Sequence, residues 1–253
     1  MSEQKSNYNF PTEVIDLPSE GRLYPKDSPL RSGKIELKYM TAKEEDILTS
    51  QNLIKKGVVI TKLLDSLIMT EGITSADLVM GDKNAVMVAA RVLAYGPKYT
   101  CAVTNPNTGQ ETNQTFDLTD CPFKKLPKGI DGNDFTFELP ISKKKIKFKL
   151  LTGKEEELIA EELTKINKVG GQISPELTTR LRHIIKEVDG EDSQSVINTF
   201  AQNMLARDSM SLRKEIRRIS PDIDMDQEVE MGGESVKVNI PMTANFFWPD
   251  TEE

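Results

Sequence analysis

Three side chains in this sequence belong to the types that serve as soft or borderline metal ligands: Cys101, Cys121 and His183. A structural zinc site takes about four nitrogen or sulfur ligands in closely spaced pairs. Three scattered residues predict no metal centre. His183 is also the first candidate for general base chemistry near neutral pH, where imidazole titrates. In SPELTTRLRHIIKEVDG, however, Leu177, Leu181, Ile184, Ile185 and Val188 fall on one helical face, and His183 stands with Arg180 and Glu187 on the other. That pattern predicts a solvated histidine. The adjacent carboxylates Glu155 and Glu156 could share acid and base roles, yet at the start of a predicted helix they are read as complementing its dipole. The sequence contains no Gly-rich phosphate loop, nucleophile elbow or metalloprotease helix. The expectation is a protein that is not an enzyme, with no catalytic residues and no cofactor.

Those residues sit in a chain of 253 residues, 37% apolar and 29% charged, with 33 Lys and Arg against 40 Asp and Glu. The length fits one large domain or two small ones. A net charge of −7 argues against general binding to polyanions. No stretch approaches the roughly 20 apolar residues of a membrane span. The opening MSEQKSNYNF lacks the charged-then-apolar plan of a signal peptide, so a reducing cytoplasm is expected.

The strongest pattern is an internal repeat. KIELKYMTAKEEDIL at 34–48 matches KIKFKLLTGKEEELI at 145–159 in seven of fifteen positions. Each copy alternates apolar and charged residues as a half-buried strand does, then meets Thr with Glu three residues later. Thr41 with Glu44, and Thr152 with Glu155, predict capping boxes, so each copy reads as a strand running into a helix. Leu17-Pro18 precedes the first copy and Leu139-Pro140 the second; further on, Asp82 stands opposite Asp208 and Arg91 opposite Arg217.

Helices are predicted at about 43–55, through VVITKLLDSLIM, and at 82–95, 153–167, 175–188, 195–206 and 208–219. The helix at 82–95 is apolar on nearly every side except Arg91, which predicts burial in the domain centre, with Arg91 snorkelling outward or pairing with a buried carboxylate. KYTCAVT with QTFDL, and DQEVEM with ESVKVNIP, predict hairpins. The fold class expected is α+β, two similar halves, each a helical cluster with short antiparallel strands and a β-hairpin. LPKGIDGND at 126–134 marks the join. The division is an N-terminal extended arm at 1–33, a first unit at 34–127, and a second at 128–253 ending in an aromatic tail.

Two basic runs, Lys143, Lys144, Lys145, Lys147 and Lys149 on one strand and Arg213, Lys214, Arg217 and Arg218 on the last helix, leave a nucleic-acid reading open through 143–149 and 208–219. Lysines alternating with Ile146 and Phe148 also fit an edge strand protected from stray pairing. More informative are two proline-bounded apolar segments, VIDLPSEGRLYPKDSPL and IPMTANFFWPD. The candidate partner-binding residues are Leu17, Pro18, Leu23, Tyr24, Pro25, Phe246, Phe247, Trp248 and Pro249. Three consecutive aromatics on an extended chain point to alternate faces, so one ring should reach a second surface. These segments either wrap the chain's own halves or anchor it to another protein.

Taken in order, LPSEGRLYP, GKIELKYMTAKEEDIL, GDKNAVMVAARVLAYGPKY and IPMTANFFWPD resemble the baseplate hub and hub-assembly proteins of T-even-like contractile-tailed phages. The resemblance implies a non-enzymatic structural or assembly protein of the tail baseplate, made in the host cytoplasm and acting by protein–protein docking. Its implied partners are other baseplate or hub proteins, with no membrane, with nucleic acid disfavoured and with self-association left open. A virion subunit and a transient assembly chaperone absent from the virion are both compatible with it.

Overall fold

Residues 10–168, 174–242 and 244–248 are described by the computed structural model. Alternation in TEVID and KIELK produces β1 (Thr12–Asp16) and β2 (Lys34–Lys38), paired antiparallel from Thr12↔Lys38 to Asp16↔Lys34. Ile35 and Leu37 are sealed beneath β2. There follow α1 (Ala42–Thr49), α2 (Gln51–Lys56), α3 (Val59–Leu67) and α4 (Met80–Tyr95), the hairpin β3 (Lys98–Thr104) and β4 (Glu111–Asp117), and the short β5 (Phe123–Lys124). The second half runs β6 (Phe135–Glu138), β7 (Lys145–Phe148), α5 (Gly153–Lys168), α6 (Glu176–Ile184), β8 (Ile185–Val188), α7 (Gln194–Asn203) and α8 (Ala206–Ile219). It closes with β9 (Asp222–Ile223) and the hairpin β10 (Asp226–Met231) and β11 (Glu234–Asn239). Helices and small antiparallel sheets together make an α+β fold.

The sequence echo has a counterpart in register. Asp16 faces Lys34 across β1–β2, and Glu138 faces Lys145 across β6–β7. Leu37 of β2 bridges to Ile68 just after α3, and Phe148 of β7 pairs with Ile185 just after α6. The Glu44 carboxylate accepts from the Thr41 amide at 3.0 Å, the Thr41 hydroxyl at 2.6 Å and Lys38 at 2.8 Å. Glu155 accepts from the amide and hydroxyl of Thr152 and from Lys149. Asp82 and Asp208, each the third residue of its helix, both reach back to the segment after a Leu-Pro pair. Asp82 takes the Ser19 amide at 2.9 Å and hydroxyl at 2.6 Å; Asp208 takes the amides of Ile141 and Ser142 at 2.8 and 3.0 Å.

Four readings need correction. The helix foreseen at 43–55 breaks at Ser50, whose extended ψ of 103° ends α1 and starts α2. The helix foreseen at 175–188 ends at Ile184, because IKEV pairs with β7 as β8, which sets the buried Ile185 opposite Phe148 and the buried Val188 opposite Ile146. That pairing also makes the lysine-rich β7 a central strand, between β6 and β8, and not an edge. Lastly, Arg91 is 4% exposed and pairs with no carboxylate among the described residues; its guanidinium donates to main-chain carbonyls.

The segments 1–33, 34–127 and 128–253 contribute to one buried apolar cluster, from Leu17 and Leu63 to Leu212 and Phe247. Two glycines set how closely the halves meet. At Gly81, the second residue of α4, a β-carbon would lie 1.8 Å from the Pro221 carbonyl oxygen, and at Gly153 one would lie 2.5 Å from that of Ser75. β5 of one half pairs with β9 of the other, Phe123 facing Ile223.

Candidate functional site

The N-terminal segment is folded onto the chain. β1 holds it to β2, and a turn with a 3-10 segment at Pro29–Ser32 brings it back. Leu17, Pro18, Leu23 and Tyr24 are buried, while Pro25 is exposed. The Tyr24 hydroxyl donates to Asp82 at 2.6 Å and accepts from the Val79 amide at 3.1 Å. Burial, then the Asp82 charge, push the Tyr24 hydroxyl well above its usual range. Burial likewise raises Asp82, against the hydrogen bonds from Ser19 and Tyr24 that favour its anion. The arrangement ties the arm to the first turn of α4. Arg22 extends the tether, donating to the carbonyls of Leu126, Pro127 and Ile130.

The aromatic tail is also turned inward. Ala244–Phe247 form a 3-10 turn, and on a turn adjacent side chains are not forced to opposite faces as on an extended strand. Phe246 and Phe247 are therefore both 1% exposed, with rings 5.4 Å apart at 88°, and Phe246 meets Tyr99 edge-on at 5.0 Å. Trp248 is half-buried against the same cluster. Thus six of the nine candidate contact residues, Leu17, Pro18, Leu23, Tyr24, Phe246 and Phe247, face this chain's own core, as the wrapping alternative expects of them. Pro25 and Trp248 keep surface, and Pro249 lies outside the described residues.

Arg91 fastens this tail. Its Nε donates to the Phe246 carbonyl at 2.9 Å and its terminal nitrogens to Gly96 and Lys98 at 3.2 and 3.4 Å, with Tyr95 stacked at 5.0 Å. Sequence reasoning missed the role because a backbone carbonyl acceptor has no residue signature. Arg91→Met should leave those carbonyls without their donor, costing about 2 kcal/mol. The chain's single tryptophan, Trp248, gives the measurement: its emission should shift to the red as the tail loosens, and an unchanged spectrum and melting temperature would refute the fastening role.

Four of the nine basic side chains singled out in the two runs are ion-paired. Lys144 pairs with Asp189, Lys147 with Glu187, Lys149 with Glu155 and Arg218 with Glu215. His183 lies 3.4 Å from Glu162, which also takes Arg182 at 2.5 Å, and Glu156 takes Arg180 at 2.6 Å. These pairs join α5 to α6 and bring no nucleophile to the histidine. Among the described residues no cluster of three or more His, Cys, Asp or Glu side chains could hold a metal ion. No helix among them is long and apolar enough to cross a membrane.

One surface feature escaped sequence reasoning. An open apolar groove of about 380 Å3 lies along α4, floored by Ala85, Val88, Ala89 and Val92 and walled by Ile15 and Phe123. The signal is present in α4, apolar on nearly every side, a pattern that predicts burial on all of them. Ala89 and Val92 are in fact half-buried.

Fold and surface together define an α+β protein whose most prominent polar groups serve as internal tethers and whose open apolar face is a groove. Residues 11–206 match the family model described as T4 bacteriophage base plate protein, and the chain belongs to that family. Membership assigns it to the phage tail baseplate, among whose proteins its partners are to be sought. Searches of curated proteins and of solved structures returned no match.

Proposed function

We propose that this chain is a non-enzymatic structural or assembly protein of the baseplate hub that works by docking onto other baseplate subunits. The observation that carries this reading is the family match over residues 11–206. The exposed Pro25 and the half-buried Trp248 support a contact role for the two terminal segments, their neighbours serving as the packed base that holds them. Affinity in such a mode comes from apolar burial at a few aromatic anchors. The same contacts serve a chain that stays in the particle and one that leaves after assembly.

Mass spectrometry of purified particles and of assembly intermediates from infected cells tests this reading, with the chain expected in baseplate fractions. Trp248→Ala should weaken its incorporation roughly tenfold or more, the loss of an anchor worth about 2 kcal/mol. Full incorporation by that variant would remove Trp248 from the contact, and absence of the chain from every baseplate fraction would end the docking reading.

A further inference from the structure

The halves meet through a joint that only the first of them completes. The segment entering α4 lies against the segment entering α5: the Met80 amide donates to the Leu151 carbonyl at 3.2 Å, and the Gly153 amide donates to the Leu78 carbonyl at 2.9 Å. Val79 and Thr152 form the antiparallel bridge between those bonds, and Val79 is 2% exposed.

The entry to α8 offers the same edge uncovered. Aligned on Asp82 and Asp208, Leu205 stands where Val79 does, with nearly the same extended backbone, φ −62° and ψ 139° against −63° and 150°. Yet Leu205 is 49% exposed. Among the described residues neither the Ala206 amide nor the Met204 carbonyl, the counterparts of the Met80 amide and the Leu78 carbonyl, forms a hydrogen bond. Exposed apolar surface adjoins the edge at Met210 and at Ile141, whose amide donates to Asp208. Met210 is the counterpart of Asn84, which in the first half donates across the seam to Asp222.

A second copy of this chain cannot close on that edge as the halves close on each other. Their contact needs glycine at 81 and 153, where a β-carbon would meet the carbonyls of Pro221 and Ser75. The matching positions are Arg207 on α8 and Ala42 in the first copy of the repeat. What stays open is a short main-chain edge with an apolar flank, which takes a segment and not a whole unit.

We propose that the edge at 204–206 receives, from a partner baseplate protein, an extended segment of the kind that Leu151-Thr152-Gly153 presents: an apolar residue, threonine and glycine opening a helix. The proposal rests on the docking function above and names its partner's chemistry. The Ala206 amide donates to the carbonyl of the segment's apolar residue, and the amide of its glycine donates to the Met204 carbonyl. Those two bonds fix the register, and burial of Leu205, Met210 and Ile141 supplies the affinity.

The test titrates a labelled peptide of residues 145–159, which carries such a segment, against the full chain by fluorescence anisotropy. Its Gly153→Ala version should bind about tenfold more weakly, because the methyl presses on main chain. On the chain, Ala206→Pro removes the donor amide at the first position of α8, where proline suits a helix. It should weaken the peptide about tenfold at an unchanged melting temperature. Leu205→Asp, an exposed change, should weaken it similarly by removing the apolar flank. Equal binding of the two peptides, or binding unchanged in both chain variants, overturns the proposal. So does a concentration-dependent dimer broken by Ala206→Pro, which would make a second copy the occupant. If neither peptide binds while the chain still fractionates with baseplates, the edge assignment fails and the docking function stands.

Discussion

Gly81→Ala should destabilise the fold by about 3 kcal/mol or more, although alanine is the better helix former by about 1 kcal/mol. The added methyl would stand 1.8 Å from the Pro221 carbonyl oxygen, about half an ordinary contact distance. Both groups belong to the main chain, so no rotamer change relieves the clash. α4 would have to draw away from Pro221 and β9, opening the seam between the halves where Asn84 also donates to Asp222 at 3.0 Å. Denaturant unfolding gives the answer, with Gly153→Ala as a graded companion because its methyl would meet the Ser75 oxygen at 2.5 Å. A Gly81→Ala chain as stable as the original would mean that this seam is not close-packed.

The second large effect is expected at Glu44, whose side chain is fully buried with Lys38 against it at 2.8 Å. Burial alone would raise this carboxyl, but hydrogen bonds from Lys38, Ser66 and Thr41 outweigh it and hold the group at about 2, against 4.5 for a freely solvated glutamate. Because the folded value is the lower one, the folded state gains stability wherever Glu44 is ionised. The gain is complete above about 4.5 and is lost as the pH falls through 2. At about 1.4 kcal/mol per pKa unit the difference is roughly 3 kcal/mol. Glu155, held at about 2 against burial by Lys149 and Thr152, adds a drop in the same window. Glu44→Gln should therefore lower the melting temperature by roughly 5–10 °C at neutral pH. It should also flatten the fall of stability between pH 4.5 and 2. A variant whose stability still falls as steeply as the original's in that window would show that Glu44 does not carry it.

Much of this was legible in the sequence. Alternation in KIELK and KIKFK gave the strands, and Thr41–Glu44 and Thr152–Glu155 gave the helix starts, because each signal is local and physical. Even the pairing of Asp82 with Asp208 could be read, since an acidic residue in the first turn has a fixed geometric reach. The fate of IKEV could not: its four residues suit either state, and only the neighbouring β7 decides. The tail was misjudged on conformation, since IPMTANFFWPD looks extended until the 3-10 turn is known, and the turn lets Phe246 and Phe247 share one core. Arg91 and the groove depend on what lies across space from α4, which composition does not encode.

The link from Arg91 to the carbonyl of Phe246 spans 155 positions. A ribosome must therefore add those positions after Arg91 before the guanidinium meets this acceptor and Tyr99 its ring partner. Until then only the local acceptors Gly96 and Lys98 are there for Arg91, and the surface that Phe246 covers stays bare, the kind of exposure that favours aggregation or chaperone recruitment during synthesis. Maturation of the first half is thus timed by translation of the second half.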